Sequence, residues 1–120
     1  MNDQQKWKDI SLDELLPQVE SYKTNGFRLA QICALVLPDN QLELNYSFDK
    51  DLDFHNLKVR FPQNTEIPSV SRIFLSAFLY ENEIHDQFGI QISNIAIDYK
   101  GKFFKIAKAA PFNPGAVQKA

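Results

Sequence analysis

The stretch that decides the fold is Gln41-Leu42-Glu43-Leu44-Asn45-Tyr46-Ser47-Phe48, in which polar and apolar side chains alternate at every position. Successive side chains of a β-strand point to opposite faces of the sheet. A strict alternation therefore predicts a strand with one buried and one wet face, as is typical of antiparallel sheets.

Neighbouring segments predict two further strands. After the segment, Leu57, Val59 and Phe61 alternate with polar residues, which indicates a second half-buried strand. Before it, residues 27–37 are almost continuously apolar and predict a largely buried strand, in which Cys33 would be an inert core thiol. Pro38-Asp39-Asn40 is a turn signal between the first two strands. The three strands should form an antiparallel meander.

Two helices and a hairpin complete the predicted fold. The first helix covers about 11–25, with a capping-box pattern at its start; Pro17 conflicts with a continuous helix and favours a start at that residue. The second begins at a Ser69 cap and runs to about Gln87. Residues 95–106 read as a small C-terminal hairpin. We expect an α+β fold, an antiparallel or mixed sheet with two main helices, in a single domain over 1–110 with an extended tail over 111–120.

Composition narrows the functional class. The chain has 120 residues and a net charge of -2, and its basic residues are dispersed, which argues against binding to nucleic acid. No apolar run approaches the roughly 20 residues needed to cross a bilayer, and the polar N-terminus does not resemble a signal peptide. The single cysteine allows no internal disulfide. We expect a soluble cytoplasmic protein.

The most informative functional segment is Glu81-Asn82-Glu83-Ile84-His85-Asp86-Gln87-Phe88-Gly89-Ile90, at the end of the second predicted helix. Carboxylates near a helix C-terminus are mildly unfavourable, by roughly 0.3–1 kcal/mol each. Selection for something other than helix stability is therefore indicated. The options are a partner surface, a metal site or a proton path.

An enzymatic site is one alternative. Glu81 and His85 are four residues apart, so a helix would place them on one face as two metal ligands, with His55 as the natural third. Glu83 and Asp86 also share a face and could form an acid–base pair. A stand-alone metal-dependent or acid–base enzyme would use Glu81, His85 and Asp86. The competing interpretation is a surface ion pair and a solvated acidic face.

Other catalytic arrangements have less support in the sequence. No serine lies in a Gly-x-Ser-x-Gly elbow, and the four glycines are too far apart to form a phosphate-binding loop. The second predicted helix instead carries apolar residues off its main stripe, at Leu75, Leu79 and Tyr80. A helix that is apolar nearly all round is covered twice within its domain or by another subunit. This pattern favours a subunit interface.

The acidic segment also resembles a known family. Glu-x-Glu-Ile-x-Asp-x-Phe-Gly-Ile, preceded by Glu66-Ile67-Pro68-Ser69-Val70 and an apolar helix, is similar to the thirty-kilodalton subunit of respiratory NADH dehydrogenase. That family usually has Arg at the position of Asn82 and Trp or Tyr at that of His85. The variant seen here, together with the ending around 95–104 and Ala110-Pro111, looks more like the short hydrophilic subunit of energy-converting, Ech-type nickel–iron hydrogenases.

The resemblance implies a non-catalytic hydrophilic subunit without cofactors of its own. Such a subunit docks on the large catalytic subunit of a hydrogenase or NADH-dehydrogenase-like complex, beside an iron–sulfur partner subunit, in the cytoplasmic arm at the inner face of the membrane. Electron transfer in that complex is coupled to ion translocation. The implied partner interface consists of the following residues: Glu81, Glu83, His85, Asp86, Phe88, Gly89 and Ile90. In it, Glu81, Glu83 and Asp86 would meet Arg or Lys of the large subunit, and Phe88 and Ile90 would be the apolar anchor.

Overall fold

A computed structural model of the chain describes residues 6–95. Within that range the elements in chain order are β1 (Lys6–Ile10), α1 (Leu12–Thr24), β2 (Arg28–Leu37), β3 (Gln41–Lys50), β4 (Asp53–Pro62), β5 (Glu66–Pro68), α2 (Ala77–Phe88) and β6 (Gln91–Ser93). The expected α+β class is confirmed: a mixed sheet packs with two helices. The sheet has the strand order β1-β4-β3-β2, and β5 and β6 form a separate parallel pair.

The alternating segment forms β3, an inner strand of the sheet. Its apolar side chains are buried almost completely, from Leu42 at 2 % exposure to Phe48 at 0 %. β3 pairs antiparallel with β2 on one side and with β4 on the other, where Leu44 lies opposite Val59 and Tyr46 opposite Leu57. The predicted three-stranded meander is therefore confirmed, and one face of it supplies most of the hydrophobic core.

β1 was not predicted from the sequence, and its pairing makes the sheet mixed. It runs parallel to β4, from Lys6 opposite His55 to Ile10 opposite Val59. Only Ile10 is buried; the preceding residues are exposed and mostly charged. A five-residue strand with one buried side chain leaves no periodic signal, so tertiary pairing alone defines it.

α1 covers the apolar face of the sheet over β4. Leu15 and Val19 are fully buried in the common core. At its N-terminus the backbone N–H of Ser11 donates to Glu14 Oε1 at 2.9 Å, as the capping-box pattern predicted. The helix passes through Pro17 without a break, so a start at Pro17 is wrong. Tertiary packing of the apolar stripe on the sheet outweighs the loss of one backbone hydrogen bond.

β2 is an edge strand, so the prediction of a largely buried strand is wrong. Leu35 is 47 % exposed and Val36 is 41 % exposed, although both are aliphatic. Cys33 is also exposed and is not a core thiol. A continuous apolar run suits a strand covered on both faces, but here it lies at the sheet margin, with only Leu29 and Ile32 buried.

α2 begins at Ala77, eight residues after the predicted Ser69 cap. Ser69 does not cap a helix; residues 70–76 instead form successive turns, with hydrogen bonds such as Ile73 N–H to Val70 C=O at 3.0 Å. α2 packs against β2 and ends at Gly89, whose φ of 72° is the left-handed conformation that glycine adopts without strain. The expected C-terminal hairpin and tail lie outside the described residues, and the domain bounds stay a prediction.

Candidate functional site

The acidic segment forms the last turns of α2 and the chain just after it. Three of its seven predicted interface residues are buried: Glu81 at 1 % exposure, Asp86 at 7 % and Ile90 at 3 %. The other four are half-buried: Glu83, His85, Phe88 and Gly89. The segment therefore has an inner side that belongs to the domain and an outer side that meets solvent in this chain.

Glu81 is the most unusual residue of the inner side. Its Oε1 accepts a hydrogen bond from the Ser69 hydroxyl at 2.6 Å, and its Oε2 accepts one from the Val70 backbone N–H at 2.8 Å. Both oxygens are thus bonded to the loop that follows β5. Burial raises the pKa of Glu81 to about 7, although the hydrogen bonds from Ser69 and Val70 act in the opposite direction.

The same carboxylate ties the loop after β5 to α2. The Ser69 hydroxyl donates a hydrogen bond to Glu81 and accepts one from the Ser71 backbone N–H at 3.0 Å. Its donor and its acceptor are therefore both used within the loop and its contact with α2. The Val70 N–H donates to the other carboxylate oxygen of Glu81. Sequence reasoning missed the hydrogen bond between Ser69 and Glu81. A signal was present, because Glu81 falls between Ala77 and Ile84 on the buried stripe of the helix, where a carboxylate needs an internal partner.

His85 also has a partner inside the domain. Its Nδ1 lies 2.9 Å from the backbone carbonyl oxygen of Ile90. A carbonyl oxygen only accepts, so Nδ1 carries the proton and donates. This hydrogen bond spans Gly89 and holds the chain as it leaves α2 toward β6.

The residues considered for a metal site are not brought together. His55 lies in β4, and its Nδ1 is 3.0 Å from the hydroxyl oxygen of Tyr22. Glu81 is committed to the loop after β5, and His85 to Ile90. Within residues 6–95, no three side chains of His, Cys, Asp or Glu are grouped so that they could hold a metal ion.

The outer side of α2 combines apolar and acidic groups. Leu79 is 46 % exposed, and Leu75 in the turn before the helix is 58 % exposed. Glu83 follows Leu79 by four residues, so the two lie next to each other on the helix surface. In the described part of the chain, no cation forms an ion pair with Glu83. Tyr80, by contrast, packs on the core and donates to the Ala30 carbonyl at 2.9 Å.

Asn82, at the position where the resembling family usually has Arg, faces inward. It is 1 % exposed, and its Nδ2 donates to the Phe78 carbonyl oxygen at 2.8 Å, one turn earlier in the helix. Asn82 therefore adds no charge to the outer side of α2. Among the four half-buried residues of the predicted interface, Glu83 is the one carboxylate.

Comparisons with known proteins place the chain in a family. The model of the family described as respiratory-chain NADH dehydrogenase, 30 kDa subunit, matches residues 9–98. No individually curated protein matches at a significant level. Over residues 6–95, neither helix has the length and apolar character that crossing a membrane requires. The family match spans three quarters of the 120 residues and runs from β1 to beyond β6, and the chain therefore belongs to the family of the 30 kDa subunit of respiratory-chain NADH dehydrogenase.

Proposed function

We propose that this chain is a non-catalytic hydrophilic subunit that docks on the large catalytic subunit of an energy-converting hydrogenase or NADH-dehydrogenase-like complex. Its family supports membership of an NADH-dehydrogenase-like complex. The hydrogenase branch is favoured by the variant motif at Asn82 and His85. The complex would hold the chain in its cytoplasmic arm, peripheral to the inner face of the membrane, next to an iron–sulfur subunit. The chain itself carries no cofactor in this proposal; it positions the subunit that does the redox chemistry.

The observation that carries this proposal is the outer side of α2. Leu75, Leu79 and Glu83 follow one another at intervals of four and remain partly exposed, whereas the opposite side of the helix is buried. Isolated exposed leucines need no explanation, but two exposed leucines four residues apart, beside a carboxylate that has no ion pair among residues 6–95, are typical of a contact surface. The complementary surface would offer an apolar groove and an Arg or Lys.

The seven proposed interface residues divide into two roles. Glu83, His85, Phe88 and Gly89 are accessible enough to touch the large subunit. Glu81, Asp86 and Ile90 are buried in this chain and would act by holding α2 and the following turn in place. Glu81 does this through Ser69 and Val70, so a direct ion pair between Glu81 and a partner is not included in the proposal.

The expected energies are large enough to measure. A charge-assisted hydrogen bond between Glu83 and a cation of the partner contributes roughly 1.5–3 kcal/mol. Covering the exposed half of the Leu79 side chain adds about 1 kcal/mol. Reversing the charge at Glu83 should therefore weaken docking by about tenfold to a hundredfold.

The test is affinity purification of tagged chain from solubilised membranes of its native host, with mass spectrometry of the co-purified proteins. Wild type should bring down a nickel–iron hydrogenase or NADH-dehydrogenase-like large subunit. Glu83→Arg and Leu79→Ser should recover much less of it. The matched controls on the exposed side of α1, Glu20→Arg and Leu16→Ser, should recover as much as wild type.

Three results bear against the proposal in different ways. Recovery of the chain alone, from membranes that contain the complex, would overturn the subunit assignment. Equal losses in the α2 and α1 variants would overturn the choice of surface. Unfolding of Glu83→Arg, seen by circular dichroism, would mean that this carboxylate is satisfied within the domain. The comparison of Leu79→Ser on α2 with Leu16→Ser on α1 would then decide whether the outer side of α2 is the docking surface.

A further inference from the structure

Within the described residues 6–95, the outer edge of β2 is not paired with another strand. Within residues 6–95, β2 pairs with β3 on one side and has no strand on the other. Residues Gln31 through Leu37 carry no charge and no proline, and Leu35 and Val36 expose large apolar side chains on opposite faces of the sheet. An exposed, apolar strand with free backbone N–H and C=O groups is a template for pairing with another chain.

The other edge of the same sheet, β1, has features that prevent pairing with another chain. β1 is half as long as β2, and it places Lys6, Lys8 and Asp9 at the margin. Short length and charge are the usual means of preventing edge-to-edge association. In β2, the protection given by residues 6–95 lies at the start of the strand, where the register shifts between Leu29 and Gln31. There the Tyr80 hydroxyl donates a hydrogen bond to the Ala30 carbonyl oxygen at 2.9 Å.

We propose that the β2 edge pairs antiparallel with β2 of a second copy of this chain, so that two four-stranded sheets join into one continuous sheet. The charges at the two ends of the strand select this occupant and this direction. Arg28 begins β2 and Asp39 follows its end in the turn to β3. Antiparallel pairing brings each Arg28 toward the Asp39 of the other copy, whereas parallel pairing would bring like charges together.

Both charged groups can make this contact. Arg28 already hydrogen-bonds Asp49 through Nε and Nη2, but its side chain is 79 % exposed and guanidinium has five N–H donors. Asp39 is exposed in the turn. Between these ends, every pair of facing residues from Gln31 to Leu37 is uncharged, so no repulsion opposes the pairing.

Symmetry restricts the register to two possibilities near the middle of the strand. In an antiparallel ladder, two residues directly opposite each other either exchange both of their backbone hydrogen bonds or exchange none. A two-fold pair of identical strands is therefore centred on one residue. Centres at Cys33 or Ala34 bring Arg28 within one residue of Asp39. The first places the two Cys33 residues opposite each other, about 4.5–5.5 Å apart between Cβ atoms, and the second about 7–8 Å apart on a diagonal.

This inference is independent of the docking function, because it uses β2 rather than the outer side of α2. The test uses the purified full chain in reducing buffer and measures its mass by sedimentation from low to high micromolar concentration. A reversible dimer is expected. A short bis-maleimide should link the two copies through Cys33, the one cysteine of the chain, and Cys33→Ser should abolish the link without changing the sedimentation.

Leu35→Lys should weaken the dimer at least tenfold, because it places a charge on each copy within the paired segment. The matched control Leu79→Lys changes a side chain of the same type and almost the same exposure on α2, and should leave the dimer unchanged. A monomer at all concentrations would overturn the proposal. So would a dimer that resists Leu35→Lys, or one that depends on Leu79 and gives no link at Cys33. If Leu35→Lys does not fold, the wild-type link at Cys33 still decides.

Discussion

Replacement of Glu81 by Gln should change how the stability of this domain depends on pH. Glu81 is 1 % exposed, and both of its carboxylate oxygens accept hydrogen bonds from the loop after β5. Burial raises its pKa from 4.5 to about 7. Gln has nearly the same shape and can still accept from the Val70 N–H, but it cannot ionise.

The sign follows from proton binding in the two states. The folded chain binds the Glu81 proton more tightly than the unfolded chain does, so the free energy of unfolding falls as the pH rises from about 4.5 to about 7. Below that window both states are protonated, and above it both are ionised. A difference of about 2.5 pH units between the two pKa values corresponds to about 3 kcal/mol.

The assay is urea unfolding of the wild type and Glu81→Gln between about pH 4.5 and pH 8, followed by circular dichroism. The two proteins should have similar stability at the acidic end. At the alkaline end Glu81→Gln should be the more stable by up to about 3 kcal/mol. Taking the difference between the two proteins cancels all other titrating groups. Glu66→Gln makes the same chemical change at an exposed position in β5 and is the matched control.

A constant difference between wild type and Glu81→Gln across this range would refute the reasoning. A gap of opposite sign, with wild type gaining stability as the pH rises, would refute it more specifically. It would mean that the hydrogen bonds from Ser69 and Val70 outweigh burial and hold Glu81 ionised in the folded chain.

Three further predictions concern stability at neutral pH, each measured by urea unfolding. Ser69→Ala removes a hydrogen-bond donor from Glu81 and should cost about 1–3 kcal/mol, whereas Ser69→Thr should recover part of it. Leu44→Ala empties a fully buried position and should cost about 2–5 kcal/mol, while the same change at the exposed Leu35 should cost less than about 1 kcal/mol; equal losses would contradict the placement of β2 at the edge. Gly89→Ala forces a side chain into the left-handed conformation that ends α2 and should cost about 1 kcal/mol, and a neutral effect would contradict the described end of the helix.

Local patterns predicted the middle of the fold well. Strict alternation from Gln41 to Phe48 predicts a strand with one buried and one wet face, and such a pattern has no helical equivalent. The apolar face is buried, but the other face is not wet throughout, because Glu43 is 4 % exposed and accepts a hydrogen bond from Arg60. Ser11 and Glu14 marked the start of α1 because the capping box is a short-range interaction. The strand and the helix start both depend on residues that are close in the sequence, so distant parts of the molecule do not affect these two predictions.

The errors arose where distant residues decide the local structure. Composition describes the side chains of β2 but not its position in the sheet. The apolar run therefore predicts an interior strand, whereas β2 lies at the edge of the sheet. The loop before α2 is held by Glu81, which lies eleven residues after the Val70 amide that donates to it. The sequence singles out the acidic motif as a candidate partner surface, but it does not divide the motif into an inner carboxylate at Glu81 and an outer one at Glu83. That division depends on which side of α2 packs on the core.

The parallel pairing of β1 with β4 sets the order in which this chain can complete its fold during synthesis. β1 leaves the ribosome first, but its partners in β4 begin 49 residues later, from Lys6 opposite His55. At about 5–20 residues per second, the N-terminal strand waits roughly 2–10 s for its place in the sheet. α1 waits as well, since the strand on which it packs is the same one. The antiparallel meander of β2, β3 and β4 should therefore form before the N-terminal segment joins it, and a fusion partner at the N-terminus should delay the last step of folding rather than the first.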